Sequence, residues 1–303
     1  MLDKRLVVVT GKGGVGKSTV ALALGLKAAD AGRRTIVCEV ASQERISHAF
    51  HRGNVGFAET ELEPNLYGIS IDPDEAMREY VLLSLKVKAM RDLLFRSKVF
   101  TYLAAATPGL RELVTIGKIW ELTLDERKAK GARPYDLVIV DAPATGHGVG
   151  FLQTPRTFAN VARVGPIATQ AETLNRMITD RRRTGVAIVA LPEEMPVNET
   201  ATLERELVRD VGMAVDRVLL NGLYPERFSA DDEEALGSAL DQAEGPGRDA
   251  IAAALTVRRR AAAQREQVTR LDDLTRTPVT SLPFLFAPEL GVDQLRGLAA
   301  AIP

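Results

Sequence analysis

The sequence predicts an α/β protein: one doubly wound, mostly parallel sheet with an inserted helical layer. Short apolar runs rich in β-branched residues recur at 5–9, 35–40, 66–71, 136–140, 185–191 and 217–221, with a last candidate at 279–283. Helical patterns lie between them, so strand and crossover alternate. A glycine-rich segment joins the first run directly to the first helical pattern.

Each element has its own signal. The runs are apolar without alternation, as in strands buried on both faces. The first is Leu6-Val7-Val8-Val9, and the first helix, 18–31, stops at Gly32, a residue suited to a left-handed C-cap. Residues 74–133 are mostly helical in pattern, including 80–103, where Val81, Leu82, Leu85, Met90, Leu93, Leu94 and Phe100 recur at roughly helical spacing. A crossover needs only about a dozen residues. This stretch and a second one at 154–183, broken at Gly165-Pro166, are therefore expected as an added layer. Residues 230–277 are Ala- and Arg-rich and helical, interrupted at Gly245-Pro246-Gly247. With no internal repeat, 1–303 is expected to be one domain carrying two helical insertions.

Composition excludes several classes. Of 303 residues, 46% are apolar, so a large core is within reach, and 39 Lys+Arg balance 40 Asp+Glu. That lacks the basic excess of a nucleic-acid binder. The one cysteine, Cys38, rules out an intramolecular disulfide or a four-cysteine cluster within one chain, and fits a reducing compartment. No stretch approaches the roughly 18 to 20 apolar residues that span a bilayer. The leading apolar run ends in a glycine turn instead of a cleavage site. The expectation is a cytoplasmic protein without stable membrane insertion.

The strongest motif is Gly11-Lys12-Gly13-Gly14-Val15-Gly16-Lys17-Ser18-Thr19, which fits G-x-x-x-x-G-K-[ST] between a strand and a helix. Glycines let successive backbone N–H groups turn toward phosphate oxygens, and the helix N-terminus adds positive potential. Lys17 is placed to reach the β- and γ-phosphates, Ser18 to ligate Mg²⁺, and Thr19 to bring its backbone near the phosphates. Gly11, Gly13 and Gly16 also satisfy G-x-G-x-x-G, with Glu39 at the end of the second strand as a candidate ribose acid. That fingerprint does not call for a Lys-Ser pair, and a lysine there would be aimed at a terminal phosphate that a pyrophosphate linker lacks. The reading taken is a triphosphate site.

With its extra Lys12, this loop is similar to the deviant Walker A loop of the ArsA, tail-anchored-protein-targeting, MinD/ParA and nitrogenase iron-protein families. In those dimeric ATPases, the resemblance implies, the early lysine reaches the partner's nucleotide, so Lys12 would act in trans on the transferring phosphoryl group. Later segments resemble the ArsA-like branch. Asp141-Ala142-Pro143-Ala144-Thr145-Gly146-His147, followed by Phe151-Leu152, is similar to its switch after a buried strand. The resemblance implies that Asp141 holds Mg²⁺ through a water and that Gly146-His147 senses the γ-phosphate. Leu191-Pro192-Glu193 and Asn198-Glu199-Thr200 resemble the segment after the next strand, implying Glu193 near the nucleotide. Asn221 matches an asparagine that hydrogen-bonds adenine, and no Asn-Lys-x-Asp guanine signature is present there.

The sequence also departs from that pattern. Counting back from Ser47-His48-Ala49-Phe50, the aspartate that orients the attacking water falls on Ala41. Glu39 is two residues early, with its carboxylate expected to point elsewhere; it either takes over water positioning or hydrogen-bonds the phosphate loop, and the second role is favoured. Cys38 alone cannot supply the paired-cysteine zinc clasp of the eukaryotic targeting ATPases, and it argues against the direct arsenite binding that the arsenite-stimulated pumps achieve with several cysteines. His48, His51 and His147 show no metal-like clustering, and only His147 sits in a motif. The C-terminus, Leu298-Ala299-Ala300-Ala301-Ile302-Pro303, offers no basic amphipathic face like that of membrane-binding MinD/ParA members. The expectation is therefore an ArsA-like ATPase using ATP and Mg²⁺ as a homodimer or as a heterodimer with a related ATPase, with a protein client and no nucleic-acid partner. The alternative is a hydrolysis-deficient ATP-sensing subunit that works beside a catalytically complete relative.

Overall fold

The computed structural model describes residues 1–40, 45–51, 53, 55–84, 107–129, 131–162 and 164–303. Its strands are β1 (Leu6–Gly11), β2 (Thr35–Val40), β3 (Thr60–Glu63), β4 (Leu66–Ile71), β5 (Leu137–Asp141), β6 (Thr184–Ala190), β7 (Val215–Leu223) and β8 (Val279–Pro283). They form one sheet in the order β3-β4-β2-β5-β1-β6-β7-β8. All neighbours are parallel except β3, which runs antiparallel to β4 at the edge. The fold is thus α/β and mostly parallel, as the alternation of runs predicted.

Helices cover both faces. Alternate residues of the central strands, including Val7, Val9, Val37 and Ile139, pack against α1 (Lys17–Asp30) and Leu295 and Leu298 of α10 (Val292–Ala301). α1 buries Val20, Ala21, Leu22, Ala23, Leu24 and Leu26 in succession, which fits a helix wedged between sheet and neighbouring helix. The other set, including Leu6, Val8, Cys38 and Val140, packs under α4 (Leu110–Leu122), α5 (Thr145–Ala162), α6 (Pro166–Thr179) and α7 (Glu194–Glu206). α2 (Arg45–Ala49) and α3 (Pro73–Ser84) follow β2 and β4, while α8 (Ala230–Gln242) and α9 (Gly245–Leu274) lie between β7 and β8.

Three expectations are modified. β3 was not foreseen: Thr60–Glu63 buries only Leu62, so it has no continuous apolar run to announce it. The helical segment expected from 154 begins at Thr145, because α5 runs straight through Pro155. A proline there forgoes one backbone hydrogen bond without ending the helix. Consequently Gly146 and His147 lie in the first turn of α5, not in a loop. The break at Gly165-Pro166 is real, with Pro166 opening α6. The helical stripe at 80–103 lies outside the described residues beyond Ser84, as does Ala41.

Candidate functional site: a phosphate loop at the centre of the sheet

β1 lies between β5 and β6, so the loop after it opens at the carboxyl ends of the innermost strands, where ligands of open α/β sheets bind. The loop residues 12–16 join β1 to α1. Gly16 has φ 90°, and a Cβ there would collide with the Asn221 side chain. Gly11 is equally constrained, since a Cβ would collide with the Val189 carbonyl oxygen of β6. Glycine is required at both positions by close approach as well as by backbone angle. Val15 plugs the loop into the core, whereas Gly13 and Gly14 are exposed. Thr19 is partly buried on the first turn of α1.

Three charged or polar groups meet beneath this loop. Lys17 is 6% exposed and donates through Nζ to the Lys12 carbonyl oxygen at 2.9 Å. The Ser18 hydroxyl donates to Asp141 Oδ2. Asp141 Oδ1 is buried and accepts no hydrogen bond among the described residues. Burial raises the Asp141 carboxyl above its ordinary range despite Ser18, Lys17 and Arg45, which favour the charged form. Burial likewise lowers Lys17, with Asp141 opposing the change and Arg45 adding to it. A buried carboxylate oxygen without a donor, beside a serine hydroxyl, is a set of hard oxygen ligands suited to a hydrated Mg²⁺.

The other sequence-predicted residues fall around this centre. Glu39 and Asp141 are register partners on parallel strands, so both side chains project to the same sheet face. The Glu39 carboxylate therefore shares the face of Asp141. Glu39 is 1% exposed, and its Oε1 accepts the backbone N–H of Arg45 at 3.0 Å, tying β2 to α2. Asn221, on β7, donates through Nδ2 to the Val15 carbonyl oxygen at 3.0 Å and so braces the loop. Lys12 pairs with Glu199 of α7, Nζ to Oε1, at 2.7 Å. Glu193 is exposed at the N-cap of α7 and lines a groove with Arg260 and Gln264 of α9.

Sequence reasoning missed three features. Arg45 reaches back from α2 to put Nη1 2.7 Å from Ser18 Oγ. It forms one wall of a cleft of about 630 Å³, with His48 beside it and Gly14, Gly16, Ser18 and Thr19 opposite. Glu199 was noted only within a motif, not as the partner of Lys12. Finally, Tyr224, Phe284 and Phe286 stack with ring centroids 4.7, 4.9 and 5.4 Å apart, and Phe284 lies against Gly222, next to Asn221. The Phe284-Leu285-Phe286 run after the last strand was the available signal for this cluster. Among the described residues, no group of three or more His, Cys, Asp or Glu could hold a metal ion, and no helix is long and apolar enough to cross a membrane.

A strand, a glycine loop and a buried helix carrying Lys17-Ser18-Thr19, with the aspartate of the adjacent strand on the serine, define a protein of the P-loop NTPase class. A sequence profile of the anion-transporting ATPase family matches residues 4–165 and 161–237. ATPase BagA of Mycobacterium tuberculosis is 32% identical over 238 residues, covering 75% of this chain and 68% of that protein. A putative arsenical pump-driving ATPase of Halobacterium salinarum is 27% identical over 243 residues, 75% of this chain and 36% of the relative. The ATPase ASNA1 homolog 1 of Paramecium tetraurelia is 26% identical over 259 residues, 73% and 75% of the two chains. The chain belongs to the anion-transporting (ArsA) ATPase family.

Proposed function

We propose that the chain binds MgATP at the glycine loop and couples binding, with slow hydrolysis, to a change in the geometry of two subunits that handle a partner or client protein. The observation that carries this reading is the Ser18–Asp141 pair beneath an exposed glycine loop, in which the buried Asp141 Oδ1 has no donor among the described residues. Backbone N–H groups of residues 13–19 would hold the phosphates, and Lys17 would turn from the Lys12 carbonyl to the terminal ones. Ser18 directly, and Asp141 through a water, would hold Mg²⁺. When bound, the metal would neutralise charge between the terminal phosphates. Asn221 and the adjoining Phe284 ring offer an amide and an aromatic face to the base. Lys12 would leave Glu199 to reach a nucleotide in a second subunit.

A second reading, an ATP-sensing subunit that does not hydrolyse ATP alone, has its own support. Glu39 already accepts the first backbone N–H of α2 through Oε1, a structural task for the carboxylate that would otherwise stand in for Ala41. Steady-state MgATP hydrolysis by the chain alone, beside Lys17→Ala, separates the two. Turnover that disappears in the variant supports the catalytic reading. Binding without turnover selects the sensor, and absence of both refutes the nucleotide site.

A further inference from the structure

We propose that Arg45 is a nucleotide-contact residue: it stands against Ser18, where a cation would bind, and transfers to the terminal phosphate of a bound triphosphate. The inference rests on the MgATP reading above and names a residue that the glycine-loop motif does not contain.

The geometry is specific. The Ser18 hydroxyl proton is committed to Asp141 Oδ2, so Arg45 Nη1, at 2.7 Å, donates to a lone pair of the same oxygen. Ser18 is 8% exposed while Arg45 lies on the open side of the cleft, so the guanidinium covers the hydroxyl from solvent. Its backbone is fixed independently, by the Arg45 N–H on the buried Glu39 carboxylate at 3.0 Å. The anchor holds the residue in place while the side chain remains able to swing.

Charge gives the arrangement a direction. Lys17 and Arg45 both act on the carboxylate of Asp141 and favour its charged form. Ser18 would also serve as a Mg²⁺ ligand, and a guanidinium is repelled from an oxygen that a metal cation already holds. Arg45 would then turn off Ser18 toward the phosphate oxygens of the nucleotide. A planar fork of donors suits them. Because Ser18 lies at the γ-phosphate end of a P-loop site, the contact distinguishes triphosphate from diphosphate. Where metal is withheld, Arg45 supplies part of the missing positive charge.

The test is calorimetric titration of ATP and of ADP, each with Mg²⁺ and with EDTA, into the full chain, Arg45→Ala, Arg45→Lys and Lys17→Ala. Arg45→Ala should weaken MgATP about tenfold and MgADP less than about threefold, with Arg45→Lys recovering part of the loss. It should also make ATP binding more dependent on Mg²⁺. The assignment is overturned if Arg45→Ala leaves ATP affinity unchanged, weakens ATP and ADP alike, or leaves the Mg²⁺ dependence as it was. If the unsubstituted chain binds ATP no better than Lys17→Ala, the nucleotide reading itself fails. If that pair differs and the Arg45 variants match the unsubstituted chain, only the Arg45 assignment falls.

Discussion

The molecule carries two clusters of buried charge, one at the phosphate loop and one beneath the helical layer, and they are built on opposite terms. Beneath the layer, the Arg127 side chain is wholly buried and contacts Glu121 through Nε and Nη2 at 2.9 and 3.0 Å and Glu59 through Nη2 at 2.5 Å. Tyr135 donates to the other Glu59 oxygen at 2.7 Å, and Lys118 pairs with Glu79 at 2.8 Å. Burial is the largest single influence and pushes Glu59 and Glu121 up, but Arg127 and Lys118, with Tyr135 on Glu59 and the Lys128 N–H on Glu121, together outweigh it and hold both below the usual carboxylate range. At the phosphate loop the balance is reversed: burial wins at Asp141, and among the described residues one of its carboxylate oxygens has no donor and Lys17 bonds only a backbone carbonyl. A saturated network is a finished piece of structure, whereas an unfinished one is matched to something that arrives from outside.

The comparison breaks most directly at Arg127. Arg127→Leu strands two carboxylates against the core, and removing one member of a buried charge network costs about 3–5 kcal/mol. Urea unfolding should show that loss, with little change in ATP affinity where the variant remains folded. A loss below about 1 kcal/mol would show that the two clusters do not differ in kind.

Legibility divides along the same line. β2 and β4 were readable to the residue because each is an apolar run bounded by turns, and a buried parallel strand needs nothing else. The glycine loop was readable because its chemistry is local in sequence. Arg45 was not: its contact with Ser18 exists only because α2 folds back over the loop, across 27 residues. The Lys12–Glu199 pair spans 187 residues and the Arg127–Glu59 pair 68, so each depends on which strands neighbour one another. The five residues of α2 and the single buried residue of β3 leave too little periodicity to see.

A smaller effect sharpens the contrast through pH. Glu59 and Glu121 have lowered values, so they add stability above 4.5 that is lost as pH falls through their folded values. Asp141 is raised above 3.8, so between 3.8 and its folded value the folded chain binds a proton that the unfolded chain does not. There, lowering the pH stabilises the folded chain through Asp141 and partly offsets the loss from the glutamates. Asp141→Asn should therefore make acid destabilisation steeper without lowering stability at neutral pH. The same variant should weaken the Mg²⁺-dependent part of ATP binding by about 10- to 100-fold. Urea midpoints measured from about pH 4 to 7 check the first claim, and titrations with and without Mg²⁺ check the second. Neutral-pH destabilisation as large as that of Arg127→Leu would contradict the account.

The smallest effect on stability tests whether the loop is held ready for a second subunit. Lys12 and Glu199 are about one-third exposed, at 33% and 38%. Exposed pairs of this kind contribute roughly 0.2–1 kcal/mol, so Glu199→Gln should leave the melting temperature nearly unchanged. Its effect on assembly should be larger. The pair keeps the Lys12 ammonium on its own chain, and weakening it releases the side chain that would cross to a partner's nucleotide. Sedimentation with MgATP should then show Glu199→Gln associating at lower protein concentration than the unsubstituted chain, while Lys12→Ala does not associate more readily. If Glu199→Gln and Lys12→Ala shift assembly in the same direction, Lys12 acts within its own subunit and the pair is an ordinary surface contact.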